Sequence, residues 1–181
     1  MTPFEALVEL DQQCRATDEA RAIDQDSAEE QWSGLAYRVG DLYLLSELTE
    51  VAEVIVCPPL TRVPATKRWL KGVANIRGTV LPIIDLKAFL GHGNVSRNNK
   101  SRVLVMRAGQ LSVGLLVDEV IGRFKIAESQ QLPVTDGVPN DIAAYVDHYY
   151  RDEDKSFWFF RYQMLVRAPE FITASAEQHL A

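Results

Sequence analysis

The sequence is poor in cysteine and histidine and contains no long apolar run. Only two of the 181 residues are cysteines and three are histidines. Cys14 and Cys57 lie far apart with no C-x-x-C motif, which argues against a disulfide framework or zinc site and fits a reducing cytoplasm. No apolar run approaches the roughly 20 residues that span a bilayer, and the first 30 residues lack a signal-peptide core. We therefore expect a cytoplasmic protein without membrane insertion, metal or cofactor.

Residues that could support catalysis occur singly. The histidines, none of which has a second His or Cys at metal-ligand spacing, are His92, His148 and His179. Cys57 has no basic neighbour in the sequence that would activate its thiol. Asp118 and Glu119 are adjacent, so in a strand they point to opposite faces. The sequence predicts a protein that is not an enzyme. The alternative is a small β-barrel hydrolase that uses Cys57 or a carboxylate, which requires a concave pocket with a perturbed titrating group.

The charge pattern disfavours polyanionic partners. The formal net charge is −6, the sequence pI is about 5.1, and no Lys/Arg-rich run occurs. Nucleic acid and anionic membranes are therefore not expected as partners. With 47% hydrophobic and 24% charged residues, the composition is sufficient for one domain or two tightly joined halves.

The stretch from Lys71 to Gly91 has the clearest local pattern. Val73 to Ile76 is a short apolar segment, and Gly78 allows the chain to turn after it. Val80 to Ile84 is a continuous apolar run, which predicts a strand buried on both faces. Pro82 within that run has no N–H for a sheet ladder, so we expect it at an edge or a bulge.

The same stretch predicts a helical turn and an unusual cation. Asp85 can cap the turn Leu86 to Leu90, and Gly91 can end it in the left-handed conformation. Arg77 stands at the turn between the two apolar segments. It is either a solvated turn residue or a rigidly placed cation that docks a partner, because arginine is enriched at interface hot spots.

The remainder of the chain reads as short strands. Alternating apolar residues on either side of Gly40-Asp41 predict one hairpin, and Val103 to Met106 with Leu111 to Val117 predict another. The polar loop Gly93 to Lys100 is a candidate boundary. The other predicted elements are strands at Glu53–Cys57, Val120–Ile126, Ile142–Tyr150 and Ser156–Tyr162, a helical turn at Thr66–Leu70 and a short closing helix at Gln163–Phe171. Many short strands with regular turns predict a mainly β protein, a sandwich or a barrel.

The N-terminal residues follow a different pattern. Thr2, Pro3 and Glu5 form a capping box with proline at the first helical position, which predicts a helix ending near Arg15 or near Ala22. That helix either packs on the body of the protein or docks a partner. Residues 18–31 are acidic and read as a second solvated helix or a linker.

Several motifs together resemble the CheW-like family of chemotaxis coupling proteins. The family pattern K-G-V-x-N-x-R-G, an apolar run, P-I and then D-L is matched by Lys71, Gly72, Val73, Asn75, Arg77, Gly78, Pro82, Ile83, Asp85 and Leu86. Further matches are Val51 to Ile55, Val63-Pro64 and Val113 to Asp118, and the similarity runs from about Leu35 to Leu165. The resemblance implies two small five-stranded SH3-like β-barrels packed through a shared apolar core. The implied organisation is an N-terminal extension over 1–31, a CheW-like domain over 32–172 with a crossover near 91–101, and a frayed tail over 173–181.

Within that family the chain is similar to the type IV pilus branch, the PilI-like couplers of twitching motility. The features are the helical N-terminal extension, Trp32-Ser33-Gly34, and Trp69 to Asn75. The resemblance implies a non-catalytic adaptor recruited to membrane receptor arrays. Its implied partners are the cytoplasmic tip of a methyl-accepting chemoreceptor and the regulatory domain of a CheA-like histidine kinase. A coupler for a flagellar or other chemosensory pathway is the alternative.

The resemblance also implies which residues contact a partner. Arg77, with Asn75 and Gly78, is expected at a receptor-facing turn. Gly72 would permit a close approach there. Val51 and Glu53 match positions tied to coupling, although core packing and a solvated strand face are the alternative roles.

Three places depart from the family pattern. Arg102 stands where a small apolar residue is common, and His148 stands where a glycine is common. A late Asp-Leu pair is missing around Arg161-Tyr162. We therefore expect the second barrel to be less typical than the first.

Overall fold

The fold is mainly β. A computed structural model describes residues 31–135 and 137–176. In chain order its strands are β1 (Gln31–Val39), β2 (Leu42–Glu47), β3 (Val51–Ile55), β4 (Leu70–Ile76), β5 (Thr79–Asp85), β6 (Arg102–Ala108), β7 (Leu111–Val117), β8 (Glu119–Ala127), β9 (Leu132–Pro133), β10 (Val146–Asp152) and β11 (Lys155–Phe160). Its helices are α1 (Leu86–Phe89), α2 (Tyr162–Arg167) and α3 (Pro169–Ala176). The N-terminal helix and acidic segment predicted for 1–31 lie outside the described residues, apart from Gln31.

The strands form two sheets, which correspond to the two SH3-like barrels. The first sheet has the order β8-β1-β2-β11-β10-β9, and the second has the order β3-β6-β7-β5-β4. Each sheet contains a parallel pair, β2 with β11 in the first and β5 with β7 in the second. Both predicted hairpins are present, as β1–β2 and β6–β7. The expectation of two five-stranded barrels holds for the second sheet. The first gains a sixth strand because Pro133 and Leu132 pair with His148 and Tyr149.

The chain passes between the sheets at places that differ from the prediction. It leaves the first sheet after Glu47, enters the second at Val51, and returns at Asp118 between β7 and β8. The predicted crossover near 91–101 instead connects α1 to β6, which is within the second sheet. Residues 91–101 are polar because they form a loop over the second sheet, not because they join two halves.

One apolar core joins the two sheets. It contains Tyr37 and Leu44 from the first sheet, Leu104 and Leu115 from the second, and Leu165 from α2, each with essentially no exposed surface. A smaller cluster lies on the other side of each sheet. Alternate residues of a strand face opposite sides, so β1 contributes to the shared core and to the satellite cluster of its own sheet. The shared core predicted from the family resemblance is confirmed.

Several local predictions differ in detail. Val80 is 63% exposed, so the run Val80 to Ile84 is buried only from Leu81 onward. Pro82 lies in a strand between β4 and β7, but the parallel ladder to β7 begins only at Ile83, so the missing N–H costs no pairing there. Ala143–Tyr145 is a 3₁₀ turn, and the predicted strand begins at Val146.

The predicted helix cap at Asp85 is confirmed, and the same carboxylate also contacts a loop and a lysine. Its Oδ1 accepts a hydrogen bond from the backbone N–H of Ala88 at 3.0 Å, and its Oδ2 accepts one from Val95 at 3.0 Å. Lys71 Nζ lies 3.4 Å from Oδ2. The carboxylate is fully buried, and Gly91 ends the turn with φ of 84°. Asp85 therefore connects β5, α1, the loop at Val95 and the start of β4.

We expect Asp85→Ala to lower the free energy of unfolding by about 3 kcal/mol, because two buried N–H groups and one cation lose their acceptor. Urea unfolding followed by circular dichroism measures this change. Asp41→Ala, at the exposed turn between β1 and β2, is the matched control and should stay within about 0.5 kcal/mol. Equal effects of the two substitutions would show that the Asp85 network does not stabilise the fold.

Candidate partner-binding site

The turn between β4 and β5 places Arg77 at the tip of a hairpin. Arg77 has φ of 51° and Gly78 has φ of 84°, so both central residues are left-handed, as in a type I′ turn. A left-handed backbone is uncommon for arginine. Asn75 Oδ1 accepts a hydrogen bond from the Gly78 N–H at 2.8 Å, which holds the turn closed. Asn75 and Gly78 therefore set the conformation that presents Arg77.

The Arg77 side chain is exposed but oriented. Its Nη2 lies 2.7 Å and its Nε 3.2 Å from Oε1 of Glu53 on β3. The Arg77 side chain is 80% exposed and that of Glu53 is 28% exposed. The hydrogen bond to Glu53 raises the pKa of Arg77, whose guanidinium is charged in any case. Exposed ion pairs contribute little to stability, so this contact fixes direction more than it stabilises the fold.

A shallow cleft of about 400 Å³ lies beneath the Arg77–Glu53 pair. Leu81 and Val105, which line it, are almost fully buried. The other lining residues are Ala52, Glu53, Ile76, Arg77, Thr79, Arg107 and Ser112. A partner seated there would meet an apolar floor with two arginines at its side. Sequence reasoning missed Arg107 and Ser112, since only the register of β6 against β7 places them opposite each other.

Gly72 and Val51 have structural roles in this fold. A Cβ on Gly72, whose φ is 141°, would lie 2.3 Å from the carbonyl oxygen of Thr61. The close approach that Gly72 permits in this structure is therefore to the chain's own backbone, and its contact with a partner stays a prediction. Val51 is half-buried and packs against the shared core. Of the six predicted contact residues, the structure brings together Arg77, Asn75, Gly78 and Glu53.

No group of three or more His, Cys, Asp or Glu side chains among residues 31–135 and 137–176 could hold a metal ion. Burial raises the pKa of the Cys57 thiol and Arg97 only partly opposes this, which disfavours the thiolate form that a nucleophile needs. Asp118 Oδ2 accepts from the Gly40 N–H at 2.7 Å, whereas Glu119 pairs with Arg38. These two carboxylates thus serve different contacts, and nothing in the described part of the chain points to catalysis.

No helix of the described ranges is long and apolar enough to cross a membrane.

Among protein-family models, that of the CheW-like domain matches residues 33–167 of this chain. Protein PilI of Pseudomonas aeruginosa is 42% identical over 135 residues, which cover 73% of this chain and 75% of PilI. Protein FrzA of Myxococcus xanthus is 36% identical over 97 residues, covering 54% of this chain and 61% of FrzA. Chemotaxis protein CheW of Thermotoga maritima is 31% identical over 96 residues, covering 53% and 63%. The similarity to PilI is thus the most extensive of these three.

Comparison with solved structures agrees on the fold. The scaffolding protein TtCheW from Thermoanaerobacter tengcongensis superimposes with a TM-score of 0.69 at 23% sequence identity. The match covers 78% of this chain and 96% of TtCheW. This likeness shows that the chain has the same overall fold as TtCheW.

We expect Gly72→Ala to destabilise the protein by about 2 kcal/mol or more, because the added methyl group collides with Thr61 and the backbone conformation disfavours alanine. Thermal unfolding followed by circular dichroism measures the effect. An unchanged melting temperature together with lost partner binding would show that Gly72 contacts a partner, as the sequence analysis expects.

We expect Arg77→Ala to leave the melting temperature nearly unchanged, since the only side-chain contact described for Arg77 is an exposed pair with Glu53. The same thermal scan checks this, with Gly72→Ala as the destabilised reference. A fall as large as that of Gly72→Ala would make Arg77 a structural residue rather than a docking residue.

Proposed function

Because the chain belongs to the CheW-like family, we propose that it is a non-catalytic adaptor that couples the cytoplasmic tip of a methyl-accepting chemoreceptor to the regulatory domain of a CheA-like histidine kinase. The observation that carries this proposal is the Arg77 turn, an exposed cation held by Glu53 at the rim of an open cleft. An exposed residue with an energetically unfavourable backbone conformation and a fixed side-chain direction is more typical of a binding surface than of core packing.

An adaptor needs separate surfaces on one rigid body, so that a change at one partner alters the state of the other. The shared core supplies the rigidity, because residues of both sheets and of α2 are packed into it. No bond-making chemistry is required of the chain.

We assign Arg77, Asn75 and Gly78 to the receptor-facing surface. Glu53 orients the guanidinium, and Arg107 extends the positive charge along the same cleft. Val51 and Gly72 support this surface indirectly, through the shared core and through the Thr61 approach.

We further propose that the chemosensory system is one that controls type IV pili and twitching motility. The extent of the similarity to PilI supports this assignment. The similarity to chemotaxis protein CheW of Thermotoga maritima supports the second candidate, a coupler of a flagellar or other chemosensory pathway. In either pathway the adaptor would be cytoplasmic and recruited to membrane receptor arrays.

The test is a pull-down of the purified protein with a receptor cytoplasmic fragment and with CheA-like kinases of the same organism. We expect wild type to bind both, and Arg77→Ala to lose the receptor while it keeps the kinase. Arg123→Ala, an exposed arginine on β8 of the other sheet, is the matched control and should bind both.

A charge exchange separates two roles of Arg77. If the guanidinium itself contacts the receptor, the double variant Glu53→Arg/Arg77→Glu retains an ion pair but does not recover binding. Recovery of receptor binding in the double variant would show that Arg77 only links β3 to the turn and does not itself contact the receptor. Failure of the wild-type protein to bind any CheA-like kinase would refute the adaptor function.

A further inference from the structure

Positive charge is concentrated in the second sheet. Residues 54–117 contain ten Lys or Arg residues but a single carboxylate, Asp85. The whole chain nevertheless carries a formal net charge of −6. Since β3 to β7 all lie in one sheet, the fold separates a basic barrel from an otherwise acidic protein. Four of the ten cations lie within the ten residues from Arg62 to Lys71, and the other six are spread over residues 77–107.

Four of these cations converge on one cleft. The cleft has a volume of about 640 Å³ and lies at the start of β4. Its cations are Arg62, Lys67, Arg68 and Lys71, and Val63, Pro64 and Ala65 add an apolar side. Among the described residues neither Arg62 nor Arg68 forms an ion pair. The carboxylate next to the cleft, Asp85, is buried and already engaged by Lys71 and two backbone N–H groups.

The backbone around the basic cleft is fixed before any partner binds. Thr61 and Val73 exchange two backbone hydrogen bonds of 2.9 Å. Thr66 Oγ1 donates to the Val63 carbonyl at 2.9 Å, and the Leu70 N–H donates to the Lys67 carbonyl at 3.0 Å. A preorganised surface loses less conformational entropy on binding. The loop therefore presents its cations in a defined arrangement.

We propose that this basic cleft docks an acidic peptide segment of a partner protein, at a surface separate from the Arg77 turn. Carboxylates of the segment pair with Arg62 and Arg68, and its apolar side chains pack on Val63 and Pro64. A protein segment fits better than a nucleic acid, because the net charge of −6 repels an extended polyanion. Trp69, the aromatic residue of this loop, packs on Phe89 and Phe171 and so offers no stacking face for a base.

The two surfaces can be occupied together. The basic cleft and the Arg77 cleft share no lining residue. They lie at opposite ends of β4, and the six-residue separation from Lys71 to Arg77 spans roughly 20 Å at the rise of a β-strand. The proposal does not depend on the identity of the receptor or kinase. A failed pull-down would therefore not refute peptide binding at the basic cleft. Failed peptide binding would likewise not refute the adaptor function.

The test uses the full chain and fluorescence anisotropy of a short labelled peptide of alternating Glu and Leu residues. We expect saturable binding that weakens as salt is added, since exposed charges are screened. Arg62→Glu/Arg68→Glu should weaken binding at least about tenfold with an unchanged melting temperature. The matched control is Arg123→Glu/Lys125→Glu, which makes the same charge change on β8 at exposed positions and should bind like wild type.

Three outcomes would overturn the proposal. The first is no saturable binding of the Glu-Leu peptide, or equal binding of the neutral Gln-Leu peptide. The second is equal weakening by both double variants, which would show an effect of net charge rather than of the cleft. The third is tighter binding of a single-stranded oligonucleotide of matched charge, which would make the partner a nucleic acid.

Discussion

Neither sheet of this protein can bury its apolar face alone, and the whole fold depends on the core that the two sheets share. A sheet with one apolar face must pack against another layer. Here the layer is the other sheet, with α2 closing one side through Leu165. Because the chain leaves the first sheet at Glu47–Val51 and returns to it at Asp118, the second sheet is one continuous segment joined to the first at both of its ends, and the first sheet is built from two segments of the chain. The surfaces of both sheets are therefore held in a fixed relation, which is what an adaptor requires.

The β4–β5 hairpin connects the rigid core to both proposed surfaces, the basic cleft and the Arg77 turn. At one end Asp85 fixes Lys71 and the backbone of α1 beside the basic cleft. At the other end Asn75 closes the left-handed turn that presents Arg77. Both anchors are side-chain oxygens, one of a carboxylate and one of an amide, that accept hydrogen bonds from backbone N–H groups. Its exposed positions are thus available for contacts outside the chain.

Local chemistry made part of this structure predictable. The cap at Asp85, the left-handed Gly91 and the β1–β2 hairpin depend on residues close in sequence, and all were predicted correctly. The crossover assigned to 91–101 was wrong because a polar loop looks the same whether it joins two sheets or two strands of one sheet. β9 was missed because its two residues become a strand only through pairing with β10. The four cations of the basic cleft are close in sequence, between Arg62 and Lys71, but the cleft that they line exists only once Thr61 pairs with Val73.

The geometry of Arg77 is compatible with both roles that the sequence left as alternatives. As a turn residue it is solvated, with an exposed side chain. As a docking residue it is already oriented, because both its Nε and Nη2 donate to the same oxygen of Glu53. A guanidinium has five N–H donors, and these two bonds leave three without a partner among the described residues. A partner acceptor can therefore bind Arg77 while the pair with Glu53 stays intact. Association then keeps the existing ion pair and adds new hydrogen bonds to it, at a small cost in side-chain entropy.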